Sequence, residues 1–218
     1  MKTPVKKLYD DFFGQFPELS VCSSEISGAF EAICKCYRAG GKLLACGNGG
    51  SASDAEHIVG ELMNKFAIKR AAPLQMREKL IASGVKNADY LFSKLEQGLA
   101  AISLVSQTSL LTAIINDIGA DMVFAQQVYG YGKEGDILLA LSTSGNSPNV
   151  VNAVSVAKAV GMTTIGFTGE NGGIMRELCH ITIRVSEKIT CKVQQQHLPV
   201  YHLLCSMVEE EFFGANQI

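Results

Sequence analysis

The segment KLLACGNGGSASDAEHIVGELMNKF, residues 42–66, decides the architecture of this chain. Its first five residues form a short apolar run, the pattern of a buried strand. From Ser51 to Phe66 the period changes. Ala55, Ile58, Val59, Leu62 and Phe66 fall on one helical stripe, and Asp54, His57, Glu61 and Lys65 on another. Ser51 and Asp54 have the spacing of a capping box, which predicts a helix over 51–66. Between strand and helix lies only the turn GNGGSAS, residues 47–53.

Outward from this unit the alternation repeats. LAAISLV (99–105), DILLALS (136–142), TTIGFTG (163–169) and HITIRVS (180–186) read as further strands. SLLTAIINDIG, MVFAQQVYGYG and SPNVVNAVSVAKAVG read as helices between them, the last with Ser147 as N-cap and Pro148 at its first position. Residues 4–38 predict N-terminal helices, broken at Pro17 and stopped at Gly40–Gly41. Residues 193–213 predict a closing helix. Residues 67–99 are more polar and predict a loop with one or two helices. They are expected to be an excursion from one domain spanning 1–218, since about 30 residues are too few for a separate core. Strands separated by helices predict an α/β doubly wound parallel sheet that binds ligands beyond the carboxyl ends of its strands.

Composition narrows the function. A net charge of −2 gives no basic footprint for nucleic acid. No run approaches the about 18 apolar residues of a membrane span, and Met1–Asp11 has no apolar segment of a secretory signal. Seven cysteines, an odd number without a CxxC pair, predict reduced thiols and a cytoplasmic protein.

Two of the strand-to-helix turns carry chemistry. In GNGGSAS the glycines let backbone approach a ligand, Asn48 and Ser51 can bond it, and a helix N-terminus favours an anion. Ala52 stands where a dinucleotide fingerprint has its third glycine, and no Gly-Lys-Ser of a P-loop follows. The bland alternative is a tight turn. In STSGNS (142–147), Ser142, Thr143, Ser144 and Ser147 set four hydroxyls at a helix start, where a capped turn needs only Ser147. Hydroxyls with backbone N–H groups suit a phosphate, so the two turns together outline a phosphorylated polyol. His57 and Glu61 share a helix face and form half a zinc site or, alternatively, a weak solvated pair. Gln194, His197 and His202 in the last helix are candidates to complete it. His180, beside Cys179, reads as structural.

The segments CGNGGSASDAEH, LSTSGNSPNVVNAV, GFTGENGG and QQQHLPVYH resemble the sugar isomerase (SIS) domain, and within it the phosphoheptose isomerases. The resemblance spans nearly the whole chain and is weakest over 67–99. It implies a three-layer sandwich with a five-stranded parallel sheet, and a homotetramer with active sites at subunit interfaces. It implies conversion of sedoheptulose 7-phosphate to D-glycero-D-manno-heptose 7-phosphate for lipopolysaccharide or another surface glycan. It places zinc, one loosely bound ion per subunit, on His57, Glu61, Gln194 and His202, with Glu61 and His202 as acid/base pair. Substrate contacts fall on Asn48, Gly49, Gly50, Ser51, Glu61, Asn116, Asp117, Ser142, Thr143, Ser144, Ser147 and Gln194. Two positions depart from the family pattern: Cys191 replaces an Asp and Lys65 replaces an Arg. The competing readings are non-catalytic SIS proteins, either a sugar-phosphate sensor or a regulator that binds a replication initiator.

Gln194 and His202 are eight residues apart, about 12 Å along a regular helix. Proline is disfavoured beyond a helix's first turn. If Pro199 makes the helix start near 196–198 instead of at 193, Gln194 lies outside it and can fold back. The alternative is a ligand set drawn from two subunits.

Overall fold

The computed structural model describes residues 1–214. Two helices, α1 (Thr3–Gln15) and α2 (Ser23–Arg38), lead into β1 (Leu43–Gly47) and α3 (Gly50–Met63). The excursion forms α4 (Leu74–Ala82) and α5 (Ala88–Lys94) before β2 (Ala101–Ser103). Then come α6 (Thr108–Asp117), α7 (Val123–Tyr131), β3 (Ile137–Leu141) and α8 (Pro148–Val160). The chain closes with β4 (Thr163–Thr168), α9 (Met175–Leu178), β5 (Ile181–Arg184) and α10 (Thr190–Phe213). All five strands are parallel, in the order β2-β1-β3-β4-β5.

Strand alternation explains the three layers. Leu43, Ala45, Ile137, Leu139 and Leu141 face one core with α1, α2, α3 and α10, where Ile26, Phe30, Ile58 and Leu204 are buried. Leu44, Cys46, Leu138 and Ala140 face the other, against Ile114, Val123, Val128, Val150 and Val154 of α6, α7 and α8. Every residue of β1 and β3 is buried. This two-sided burial is why these strands read as unbroken apolar runs.

The strand order also places the binding edge. From β1 the chain passes to β2 on one side and later to β3 on the other, so a topological switch point lies between β1 and β3. Gly47 pairs with Leu141, and Leu141 with Phe167, so the turns after β1, β3 and β4 leave the sheet at one level.

Three expectations about helix ends need correction. Helix α3 stops at Met63 rather than Phe66, because the N–H groups of Phe66, Ala67 and Ile68 donate to the Glu209 carboxylate instead of to the helix. Ser51 is no N-cap: the cap position is Gly49, there is no side-chain cap bond, and Asp54 meets Tyr201. Helix α10 starts at Thr190, so Gln194 lies inside it and Pro199 is internal. The packing of Val193, His197 and Val200 into the core holds the helix together across that proline.

Candidate functional site

The turns after β1 and β3 are tied to each other. Asn48 and Asn149, the second residue of α8, exchange two amide hydrogen bonds of 2.9 Å. Within the second turn, the Ser142 and Ser147 hydroxyls lie 2.9 Å apart. Ser147 is the N-cap residue of α8, as its sequence predicts, but its hydroxyl serves the turn rather than the helix end. The turn rests on the loop after β4, and Gly145 makes this possible. Its φ is +68°, and a Cβ there would lie 1.9 Å from the Gly172 carbonyl oxygen. Ser142 is buried, Thr143 and Ser147 are half-buried, and Ser144 is exposed, so the hydroxyls line the wall of the switch point from inside to outside.

The second group lies farther along α3. The ligand atoms of His57, Glu61 and His202 all lie within 4.8 Å of one another, a set that could hold a metal ion. His57 Nε2 is 3.0 Å from Glu61 Oε1. The His202 ring stands edge-on to that of His57, centroids 4.9 Å apart. His202 Nε2 is buried and has no hydrogen-bond partner, so it is free to ligate a cation. Burial, then the neighbouring His57, holds the His202 pKa below its ordinary value, although Glu61 opposes this. The ring is thus biased toward the neutral form that ligates or accepts a proton.

Other candidates fall elsewhere. Gln194 faces the first turn of α3: its amide reaches so close to Gly50 that a Cβ there would lie 2.5 Å from Nε2. Residues 50 and 57 are seven apart on α3, and residues 194 and 202 eight apart on α10. The two helices therefore run alongside in register, with Gln194 at the glycine turn and His202 beside His57. Asn116 and Asp117 are exposed and bond each other. Cys191 is exposed in the first turn of α10.

His197 is a packing residue. It is fully buried, sits edge-on to Phe167, and its Nε2 is 3.2 Å from the Thr168 carbonyl oxygen. His180 Nδ1 accepts from the Thr164 N–H. Burial lowers the His197 pKa to about 4. The unfolded chain, with a pKa near 6.5, therefore binds more protons between these two values. Stability is full above about pH 6.5 and falls as pH drops toward 4, by about 3 kcal/mol from this group. In urea melts, His197→Gln is expected to lose this slope relative to the parent protein. A parallel slope in both proteins contradicts it.

Two features escape a sequence reading. Tyr201 Oη sits between His57 Nδ1 at 3.0 Å and Asp54 Oδ1 at 3.3 Å. Arg70, buried, donates from Nε to Glu209 at 2.7 Å and from Nη1 and Nη2 to the carbonyls of Leu62 and Glu61, capping the end of α3. Asp54 was visible on the polar stripe of α3, but its partner is 147 residues away.

Comparison with known proteins places the whole chain. The SIS domain family profile matches residues 20–91 and 86–169. A phosphoheptose isomerase of Burkholderia pseudomallei is 44% identical over 175 residues, covering 80% of this chain and 76% of that protein. One from Rhodospirillum rubrum is 40% identical over 195 residues, 89% of this chain and 90% of its own. The solved phosphoheptose isomerase of Neisseria gonorrhoeae superimposes with a TM-score of 0.71 at 31% identity, covering 95% and 97% of the two chains. On its sheet order, its paired turns and these likenesses, the chain belongs to the SIS domain family, and within that family to the phosphoheptose isomerases.

Proposed function

We propose that this chain isomerises sedoheptulose 7-phosphate to D-glycero-D-manno-heptose 7-phosphate for surface glycan synthesis, as a cytoplasmic homotetramer using zinc. The observation that carries the reading is the His57–Glu61–His202 cluster on the chain that also bears the paired turns. Homologues carrying the phosphoheptose isomerase name support the substrate. No helix among the described residues is long and apolar enough to cross a membrane.

The turns at 47–51 and 142–147 hold the phosphate and hydroxyls through backbone N–H groups and the Ser142, Thr143, Ser144 and Ser147 side chains. The Glu61 carboxylate removes a proton from C1. The C–H electron pair becomes the C1–C2 double bond of an enediol, and the carbonyl pair moves to O2. His202 carries protons between O1 and O2. Return of a proton to C2 completes the aldose, with no net proton gained or lost. His57, Glu61 and His202 would hold zinc, whose charge polarises the carbonyl and steadies the developing oxyanion. In this reading Gln194 joins from a neighbouring copy, because about 12 Å of helix separates it from His202 in its own chain. In this reading Asn48, Gly49, Gly50, Asn116 and Asp117 complete the substrate contacts.

The test is to incubate the purified protein with sedoheptulose 7-phosphate in deuterium oxide and follow C1 and C2 by NMR. The proposal expects an aldehyde product with deuterium exchange at the reacting carbons. A sugar-phosphate sensor or a scaffold gives neither.

A further inference from the structure

The bond from His57 Nδ1 to Tyr201 leads to a carboxylate rather than to water, and this settles which way the protons run. Tyr201 is 1% exposed, so its hydroxyl must find its partners inside the protein. It has two, His57 Nδ1 at 3.0 Å and Asp54 Oδ1 at 3.3 Å. Burial raises the pKa of Asp54, but in alkaline buffer the group is ionised and only accepts hydrogen bonds. The single phenolic hydrogen therefore goes to Asp54. The Tyr201 oxygen can then only accept from His57, so Nδ1 must carry a hydrogen. A neutral imidazole with hydrogen on Nδ1 has its lone pair on Nε2. That lone pair points at Glu61 Oε1, 3.0 Å away, which as a carboxylate also only accepts. Two acceptors facing each other at that distance repel, so the pair draws a cation, and without one the partly exposed Glu61 carboxylate turns away from the ring.

We propose that Tyr201, anchored by Asp54, is a positioning residue that fixes the Nδ1–H tautomer of His57 and so presents Nε2 to an ion. The tautomer follows from the bonds of Tyr201 alone. Its consequence for ion affinity rests on His57 being a ligand, as in the function proposed above. The Asp54–Tyr201–His57 chain repeats the general arrangement in which a ligating imidazole gives its second N–H to an oxygen that is itself hydrogen-bonded. Tyr201 directly precedes His202 in α10, so one turn of helix supplies both a ligand and the group that orients the other imidazole.

Two measurements on the full-length protein test this. The first is a long-range proton–nitrogen NMR spectrum of the metal-free protein in alkaline buffer. The chain has four histidines, and the His57 signals are identified by their loss in His57→Gln. The protein is expected to show His57 protonated on Nδ1. Tyr201→Phe, which keeps the ring in the core, is expected to move the proton to Nε2, where it can donate to Glu61. The second is the zinc dissociation constant by competition with a chromophoric chelator. Tyr201→Phe is expected to weaken it about 10- to 100-fold. Asp54→Asn, whose amide can donate to the phenol as well as accept from it, is expected to shift both readouts in the same direction, and serves if Tyr201→Phe does not fold. A parent protein with His57 protonated on Nε2 overturns the proposal. So does a Tyr201→Phe protein that keeps both tautomer and zinc affinity. If the parent binds no zinc yet shows the expected tautomers, zinc drops out of the proposed function while the role of Tyr201 stands.

Discussion

Replacing Glu61 by Gln is expected to lower the rate of C1 deuterium exchange about 100- to 10,000-fold, at saturating zinc and substrate. The amide matches the carboxylate in size but has no basic oxygen to take the proton. The site should otherwise survive. Glu61 is partly exposed, and its backbone carbonyl, not its side chain, holds Arg70. The loss should therefore fall on kcat rather than on the folded state, and circular dichroism and urea midpoints should be close to those of the parent. Glu61 serves in this account as both ligand and base, so zinc affinity is measured on the same sample. Saturating the variant with zinc separates lost occupancy from lost basicity. A Glu61→Gln protein that keeps more than about a tenth of the exchange rate removes Glu61 from the role of base.

The second large effect concerns stability. Arg70→Met is expected to cost about 3–5 kcal/mol in guanidinium unfolding. Arg70 and Glu209 side chains are 0% and 1% exposed, so removing the guanidinium leaves a buried carboxylate without its countercharge. Burial alone would raise the pKa of Glu209. The N–H groups of Phe66 and Ala67, the Arg70 guanidinium and the N–H of Ile68 outweigh it and hold the carboxyl below its usual range. Removing Arg70 also uncaps α3 at Glu61 and Leu62 and strips the cation from the face of Phe213, 4.9 Å away. The double variant Arg70→Met, Glu209→Met should be less destabilised than the sum of the singles, because the lone charge is gone. It should not return to the parent value, because the N–H groups at 66–68 lose their acceptor. A cost for Arg70→Met below about 1 kcal/mol contradicts this reading.

These two residues illustrate what a sequence can disclose. Glu61 was legible because its partner His57 lies four residues away on the same helix, and local spacing reports local contacts. The central strands were legible because burial on both faces writes a run of apolar residues, as in Ile137–Leu141. The switch-point turns were legible through glycines and hydroxyls that a plain turn does not need. Arg70 and Glu209 are 139 residues apart, and Tyr201 and His57 are 144 apart, with no repeat or spacing to connect them. The start of α10 was misread for a related reason. Pro199 is a local signal against helix, but the packing that overrides it comes from β4 and from the core beneath Val193 and Val200. The end of α3 was misread because Glu209, far along the chain, takes the N–H groups that would have continued it.

The account depends on His57, Glu61 and His202 acting as one centre. The most direct test is a crystal of the zinc-loaded protein measured on both sides of the zinc absorption edge. The account predicts an anomalous peak within bonding distance, about 2.0–2.2 Å, of His57 Nε2, a Glu61 carboxylate oxygen and His202 Nε2. A zinc peak elsewhere on the chain, with these three side chains bonding only each other or solvent, would contradict it.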